Sequence, residues 1–162
     1  LAGYYLTGDL HAPVTRIGYR WVLTPHAGES PGVAAIAVTD TPATFDDGSS
    51  PEMPLHLIVD RNGWDYSVAP SRSAGGVELV SIGRGNFSSP LIVDGITEYT
   101  LEVCLENDTA TLLFPDGSRR TVEDPRIGAW RGNYAYFEPY SPTGNPDAVA
   151  GFTEVWASTL PC

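Results

Sequence analysis

The sequence lacks lysine altogether: all nine of its basic residues are arginine, and they stand against twenty acidic residues. The resulting formal charge of −11 gives a surface that repels phosphate groups, which argues against nucleic acid and anionic membranes as partners. No apolar run approaches the roughly 20 residues of a membrane span, and no signal peptide is recognisable. Because residue 1 is Leu, we expect the chain to be processed or to be a piece of a longer protein.

Cysteine is scarce, with only Cys104 and Cys162 present. The two residues leave open one disulfide or two thiols, and the sequence favours the thiols. Two thiols without histidines at ligand spacing do not form a metal site, and the acidic loop from Asp40 to Met53 lacks the spacing of an EF-hand. We therefore predict neither a metal nor a cofactor, and we interpret this loop as a solvated surface excursion. The histidines are scattered and no G-x-S-x-G motif occurs, so a serine nucleophile is not indicated.

Glycine, proline and alternating apolar residues are abundant, a mixture typical of short strands joined by tight turns. Residues 33–39 (VAAIAVT) predict a buried strand, and residues 15–21 alternate, with Arg16 and Arg20 on one face. The run LHLIVDRNGWDYSV predicts a hairpin that turns at Asn62-Gly63, because Asn-Gly supplies the positive φ angles that a tight hairpin turn requires.

The second half of the chain continues the strand pattern. The segments TLEVCLE, TATLLF and SRRTVE predict a meander with turns at Asn107-Asp108 and at Pro115-Asp116-Gly117. The segments GVELVSIG, SSPLIVDG, NYAYFEPY and GFTEVWAS predict further strands, and the one helical feature is a short turn over residues 124–127. The sequence therefore predicts an all-β fold, an antiparallel β-sandwich or jelly roll, as a single domain over residues 1–162.

Carboxylates are the first candidates for chemistry. Glu98, Glu102 and Glu106 share one strand face, but their predicted partner strand offers threonines, so we interpret them as a solvated face rather than a glycosidase pair. Glu138 lies among aromatic residues that could raise the pKa of its carboxyl group. A lone glutamate of this kind is more often structural, so we predict no catalytic residue.

Aromatic residues are the second candidates, since flat rings hold sugars by stacking. We expect Trp64, Tyr66 and Trp156 to fill the core of the sandwich. Four residues in a glycine- and proline-rich context are predicted to contact a glycan or a partner protein, with at least two of the four partly exposed: Trp130, Arg131, Tyr134 and Tyr140. Aromatic rings together with a planar guanidinium can stack on a sugar and donate paired hydrogen bonds, but they are also common at protein interfaces.

The runs LHLIVDRNGWDYSV, YTLEVCLENDTATLLFPDGSRRTVEDPRIG, YAYFEPY and FTEVWAS resemble the concanavalin A-like lectin/glucanase sandwich. More narrowly, they are similar to LtfC-type β-sandwich domains in tail-associated proteins of actinobacterial phages. An actinobacterial origin is also indicated by the absence of lysine, whose codons are rich in A, which is typical of a GC-rich genome.

This resemblance implies a non-enzymatic structural or interaction module of a phage virion, associated with the tail or its tip. Its partners would be other virion proteins, within an oligomer, and it is a candidate for binding host-envelope polysaccharide. The alternative is a secreted jelly-roll glycoside hydrolase or polysaccharide lyase. The resemblance assigns no catalytic residue.

Overall fold

The computed structural model describes residues 2–3, through their backbone alone, and residues 6–26, 31–41, 55–69, 79–141 and 151–162. Within these ranges the chain forms strands and one short helix. Their bounds are β1 (Ala2–Gly3), β2 (Leu6–Asp9), β3 (Arg16–Val22), β4 (Val33–Thr39), β5 (Leu55–Val59), β6 (Gly63–Val68), β7 (Val80–Asn86), β8 (Glu98–Glu106), β9 (Thr109–Leu113), β10 (Arg119–Glu123), α1 (Pro125–Trp130), β11 (Tyr134–Ser141) and β12 (Gly151–Ser158).

These strands form two antiparallel sheets that pack face to face. The larger sheet has the order β1-β11-β4-β5-β6-β7, with β2 also paired to β11, and the smaller sheet has the order β10-β9-β8-β3-β12. The core between them is formed by the inward residues of both sheets, as in a β-sandwich. The predicted all-β antiparallel sandwich of the jelly-roll kind is therefore confirmed.

Alternation along the strands decides which side chains enter this core. On β3, Ile17, Tyr19 and Trp21 are buried, whereas Arg20 on the opposite face is exposed. The β4 strand is buried on both faces, as its continuous apolar run predicts. The meander β8-β9-β10 also forms as predicted, and its turns use the left-handed conformation at Asn107 (φ 52°) and Gly117 (φ 79°).

The β5–β6 hairpin forms, but the predicted turn at Asn62-Gly63 is placed one residue too late. Gly63 is the first residue of β6 and does not have a positive φ angle. The turn is held instead by Asp60, whose carboxylate accepts hydrogen bonds from the backbone N–H groups of Asn62 (2.6 Å) and Gly63 (2.9 Å). An aspartate that bonds to the backbone two residues later stabilises such a turn without glycine.

The segment 88–95 is not a strand, contrary to the prediction. Its backbone groups bond to loop atoms instead of a ladder: Leu91 N–H donates to Arg61 O (2.8 Å), and Ile92 N–H donates to the Tyr99 hydroxyl (2.6 Å). Gly95 continues the loop with φ 71°. Of the apolar residues that suggested a strand, Leu91 is buried and Val93 packs against the core, whereas Ile92 is exposed.

Cys104 and Cys162 form a disulfide with a Cα–Cα distance of 6.1 Å, so the preference for two thiols is wrong. The bond fixes the chain end after β12 to the outer side of β8, a pairing between residues 58 positions apart. Such a contact depends on the strand order, in which β3 lies between β8 and β12.

The short helix α1 begins at Pro125, and Asp124 caps it by accepting a hydrogen bond from the backbone N–H of Arg126 (2.9 Å). This agrees with the predicted single turn over residues 124–127 and with the preference for proline in a first helical turn. None of the described residues forms a helix that is both long and apolar enough to cross a membrane.

Candidate functional site

The outer face of the larger sheet, which points away from the core, carries rows of side chains that cross several strands. Residues that pair directly on neighbouring strands present their side chains on the same face. One such row runs Glu138, Ala35, Ile58, Asp65, Arg84, and the next runs Tyr136, Ala37, His56, Ser67, Ser81. These rows bring together residues from five strands that the sequence separates widely.

Exposure divides this outer face into two parts. Ala35, Ala37 and Tyr136, on β4 and β11, are at most 1% exposed. Toward β7, Arg84 is exposed and Ile58 and Asp65 of the same row are partly exposed, whereas His56 and Ser67 of the second row are buried. A ligand can therefore approach the β5–β7 end of the face.

A groove of about 400 Å³ lies at this open end. Its size falls within the range of small-molecule sites. Nine residues line it, and we call it the sheet groove: Ile58, Asp60, Asn62, Gly63, Trp64, Asp65, Arg84, Gly85 and Asn86. The lining combines polar and apolar surface in about equal parts, with Ile58 and Trp64 as its apolar residues.

Some polar side chains of the sheet groove already form hydrogen bonds within the protein, and others do not. Asp60 holds the hairpin turn, and Asp65 accepts a hydrogen bond from the Ser67 hydroxyl (2.6 Å). The side chains of Arg84 and Asn86, by contrast, form no hydrogen bond or ion pair with any residue the structure describes. One cation and one amide thus remain available to a ligand, beside two carboxylates that are already oriented.

Tyr140 and Glu138 lie on the same outer face, on β11, which β4 separates from the groove strands β5–β7. Burial raises the pKa of the Tyr140 hydroxyl, and the negative charges of Glu138 and Asp60 raise it further, which places the phenol near both carboxylates. Burial also raises the pKa of Glu138. Glu138 is separated from Asp65 by two intervening strands, β4 and β5, which is about 14 Å between their backbones at the usual strand spacing. Glu138 and Asp65 are therefore not neighbours on this face.

His56 is the most unusual polar residue of this face. It is 6% exposed, and neither ring nitrogen has a hydrogen-bond partner within the described residues. Burial lowers its pKa to about 4, although the negative charge of Asp65 opposes that change. The ring is therefore neutral at physiological pH. Its side chain lies on the face of β5 opposite to Leu55 and Leu57.

The structure does not bring the four predicted contact residues together, although all four are partly exposed. Trp130 ends α1 and packs against the core, and the Arg131 guanidinium donates to Leu105 O (2.9 Å). Tyr134 and Tyr140 lie at opposite ends of β11, about 20 Å apart along a strand. None of the four lines the sheet groove, and a glycan or partner contact by them remains a prediction.

The outward face of the smaller sheet carries the glutamates that the sequence suggested as a solvated face. Glu98 and Glu106 are exposed and Glu102 is partly exposed. Two of them lie beside arginines of β3, with Arg16 Nε 3.7 Å from Glu102 and Arg20 Nε 4.0 Å from Glu98. Charges paired in this way, on a strand face, do not form a catalytic pair.

Trp156 is the clearest error of the sequence analysis. Trp64 and Tyr66 belong to or pack against the core, as predicted, but Trp156 lies on the outward face of the smaller sheet. Its partner on β3 is Gly18, which faces away from the core between the inward residues Ile17 and Tyr19. On β12 the inward residues are Val155 and Ala157, so the two neighbours of Trp156, rather than Trp156, contribute to the core.

Sequence reasoning also missed the sheet groove. The period-two pattern does place Ile58 and Asp65 opposite the core residues of their strands, but it would place Arg84 on the side of Ile82, which packs against the core. What it lacks is the register that sets Asp65 beside Arg84, because β6 and β7 pair across a β-bulge near Tyr66. The alternative loop sites are not tested: most of the acidic loop from Asp40 to Met53 lies outside the described residues, and no group of three metal-ligating side chains occurs within them.

Comparison with known proteins relates this chain to lectin-like folds. No family model matches the sequence, and no curated protein matches it either. Among solved structures, chicken galectin 2 matches with a TM-score of 0.59 and 11% identity, over 97% of this chain and 100% of that one. The carbohydrate-binding module CBM66 from Bacillus subtilis matches with a TM-score of 0.55 and 14% identity, over 95% of this chain and 78% of that one. Identities this low relate the folds alone.

Proposed function

We propose that this protein is a non-enzymatic carbohydrate-binding module and that the sheet groove binds a sugar unit of a neutral glycan. The observation that carries the proposal is the groove itself, an open cavity of about 400 Å³ with an unused arginine and asparagine. The similarity of the fold to chicken galectin 2 and to a carbohydrate-binding module supports it.

The chemistry of the groove suits sugar hydroxyl groups, which donate and accept hydrogen bonds at once. Asp65 supplies acceptors, the Arg84 guanidinium supplies paired donors, and the Asn86 amide supplies both. Ile58 gives an apolar contact for the C–H groups of a sugar ring. Sites of this kind combine apolar lining with a few oriented polar groups.

Charge favours a neutral glycan over an anionic one. The groove contains two carboxylates, Asp60 and Asp65, against one arginine, and the whole chain carries a formal charge of −11. A polyanionic glycan would be repelled by both. A neutral sugar can use the carboxylates as hydrogen-bond acceptors.

We also propose that the module belongs to a phage virion, associated with the tail, where it would contact the envelope glycan of an actinobacterial host and other virion proteins. The support for this role is the similarity of its strand and turn segments to tail-associated β-sandwich domains. The test is immunogold electron microscopy of purified phage particles with an antibody against this chain. We expect the antibody to label the tails. Labelling confined to secreted protein would overturn the virion role and leave the groove untouched.

Binding can be tested with an array of neutral oligosaccharides that includes fragments of actinobacterial envelope polysaccharide, followed by calorimetry with the best ligand. Arg84→Ala and Asn86→Ala should each weaken binding, Arg84→Ala by roughly tenfold or more, because a charge-assisted hydrogen bond contributes about 1.5–3 kcal/mol. Neither side chain bonds within the described fold, so stability should not change.

Arg119→Ala is the matched control, because this substitution also removes one positive charge. Arg119 is exposed on β10 of the other sheet. Its affinity should equal that of the wild type. Equal affinities for all three variants would overturn the groove as the site. Release of reducing sugar from the bound polysaccharide would overturn the non-enzymatic assignment and favour a glycoside hydrolase.

A further inference from the structure

We infer that the protein has a second sugar-binding site, on the opposite sheet, where the indole of Trp156 forms a stacking platform for a neutral sugar ring. This inference concerns a different surface from the sheet groove and does not depend on it. It rests on how the indole is held, on the groups around it and on their charges.

The indole lies across the smaller sheet. Trp156 on β12 pairs with Gly18 on β3, and Gly18 pairs with Glu102 on β8. The indole Nε1–H nevertheless donates to Glu102 Oε2 at 2.9 Å. To reach from β12 to β8, two strand spacings or about 10 Å away, the ring must extend over Gly18.

Gly18 is what allows the ring to lie there. A Cβ atom at this position would stand 2.5 Å from Trp156 Cζ2 and 2.6 Å from Cε2, closer than real contacts. One face of the indole therefore rests on the backbone of β3. Because Trp156 is partly exposed, the opposite face is directed to solvent. A hydrogen bond at one end and backbone beneath it fix the ring as a flat platform.

Charged side chains border this platform on both sides along β3. Arg16 lies on one side, beside Glu102, and Arg20 lies on the other, with its Nη1 2.9 Å from Glu154 Oε2. Their side chains are 37% and 48% exposed, although Arg16 Nε is buried and Arg16 Nη2 donates to Cys162 O (3.4 Å). The rim of the platform thus offers donors from two arginines and acceptors from three glutamates, Glu98, Glu102 and Glu154, with a net formal charge of −1.

These features favour a sugar over a protein partner. A protein hot spot is an anchor in a desolvated pocket surrounded by other packed residues, whereas this indole stands among charged side chains on an open strand face. A pyranose ring needs one flat aromatic surface for its C–H face and mixed hydrogen-bonding groups at its edge. A rim of paired charges with a net negative sign suits neutral hydroxyl groups better than an anionic group.

Together with the proposed function, a platform on one sheet and a groove on the other would make the chain bivalent. Two sites on opposite faces can bind two glycan chains, or one array of chains at higher avidity.

The test is a two-dimensional NMR titration of the intact disulfide-bonded protein with the same array of neutral oligosaccharides, which follows the indole N–H signals. The Trp156 signal, assigned by its loss in Trp156→Tyr, should shift on saturation. The signal of Trp21, which is 0% exposed in the core, is the internal control and should not move. Trp156→Ala should weaken this site by roughly tenfold, and Trp156→Tyr, which retains a flat ring, by less.

The two proposals fail in different ways. Shifts at Trp156 that persist in Arg84→Ala support the platform even if the groove binds nothing. Shifts confined to the β5–β7 residues, with Trp156 unmoved by every oligosaccharide, overturn the platform and leave the groove standing. If Trp156→Ala does not fold, the wild-type and Trp156→Tyr titrations still decide the matter, and an unmoved indole signal in the wild type overturns the inference.

Discussion

Gly63 shows how a residue can be required for a reason that its sequence neighbours do not reveal. The Asn-Gly pair suggested a positive φ angle, but Gly63 has none and instead opens β6 as a buried strand residue. A Cβ atom there would lie 2.2 Å from Gly85 O and 3.0 Å from Asn86 Cα. Because both contacts are backbone atoms of β7, no side-chain rotation can relieve them.

We expect Gly63→Ala to lower the free energy of unfolding by about 1–3 kcal/mol, since β7 must move away from β6 to admit the methyl group. Gly8→Ala is the matched control, because a Cβ at Gly8 has nothing within 4 Å. Urea denaturation of both variants checks this. If Gly63→Ala unfolds at the same urea concentration as Gly8→Ala, the close approach of the two strands is wrong.

His56 should make stability depend on pH. Its folded pKa of about 4 lies below its ordinary value of 6.5, so the folded state binds fewer protons than the unfolded state between these values. The contribution of neutral His56 to the free energy of unfolding is fully present above pH 6.5 and is lost as the pH falls toward 4. The loss is about 3 kcal/mol, from roughly 1.4 kcal/mol for each pKa unit.

The measurement is urea unfolding between pH 7 and pH 4.5 for the wild type and for His56→Gln, which cannot gain a proton. The variant should lose the part of the pH dependence that the histidine causes. Identical slopes for the two proteins would show that His56 is not buried as a neutral ring.

At the scale of elements, alternation was sufficient to predict most strands but not the contacts that lock them together. The buried run of β4 and the alternation of β3 and β8 each follow from a local pattern. The pairing of Cys104 with Cys162 does not, because it depends on β12 joining the sheet at β3. The segment 88–95 failed for the opposite reason, since its apolar residues made a local pattern without a partner strand.

The disulfide should contribute strongly to stability. It closes a loop between residues 58 positions apart, and a closed loop of this size stabilises by up to about 4 kcal/mol through the unfolded chain. Cys104→Ser combined with Cys162→Ser should therefore lower the free energy of unfolding by about 2–4 kcal/mol. Chemical denaturation of the double variant against the oxidised wild type tests this, and an unchanged denaturation midpoint would contradict it.

At the scale of the whole molecule, the two sheets have different outer faces. The larger sheet is open only at its β5–β7 end, where the sheet groove lies, and the smaller sheet carries arginine–glutamate pairs around one flat indole. The fold class could be predicted from sequence because patterns within single strands determine it. Both candidate sites depend on register between strands, which sets Asp65 beside Arg84 and Trp156 over Gly18, and a single sequence does not specify register.

The most direct test of the central claim, that the sheet groove binds a neutral sugar, is a crystal structure of the protein with the best oligosaccharide from the array. We predict density for a sugar ring against Ile58, with hydroxyl groups within hydrogen-bonding distance of Arg84, Asp65 and Asn86. A groove that holds no sugar at saturating ligand, in crystals whose lattice leaves it open, would contradict the account.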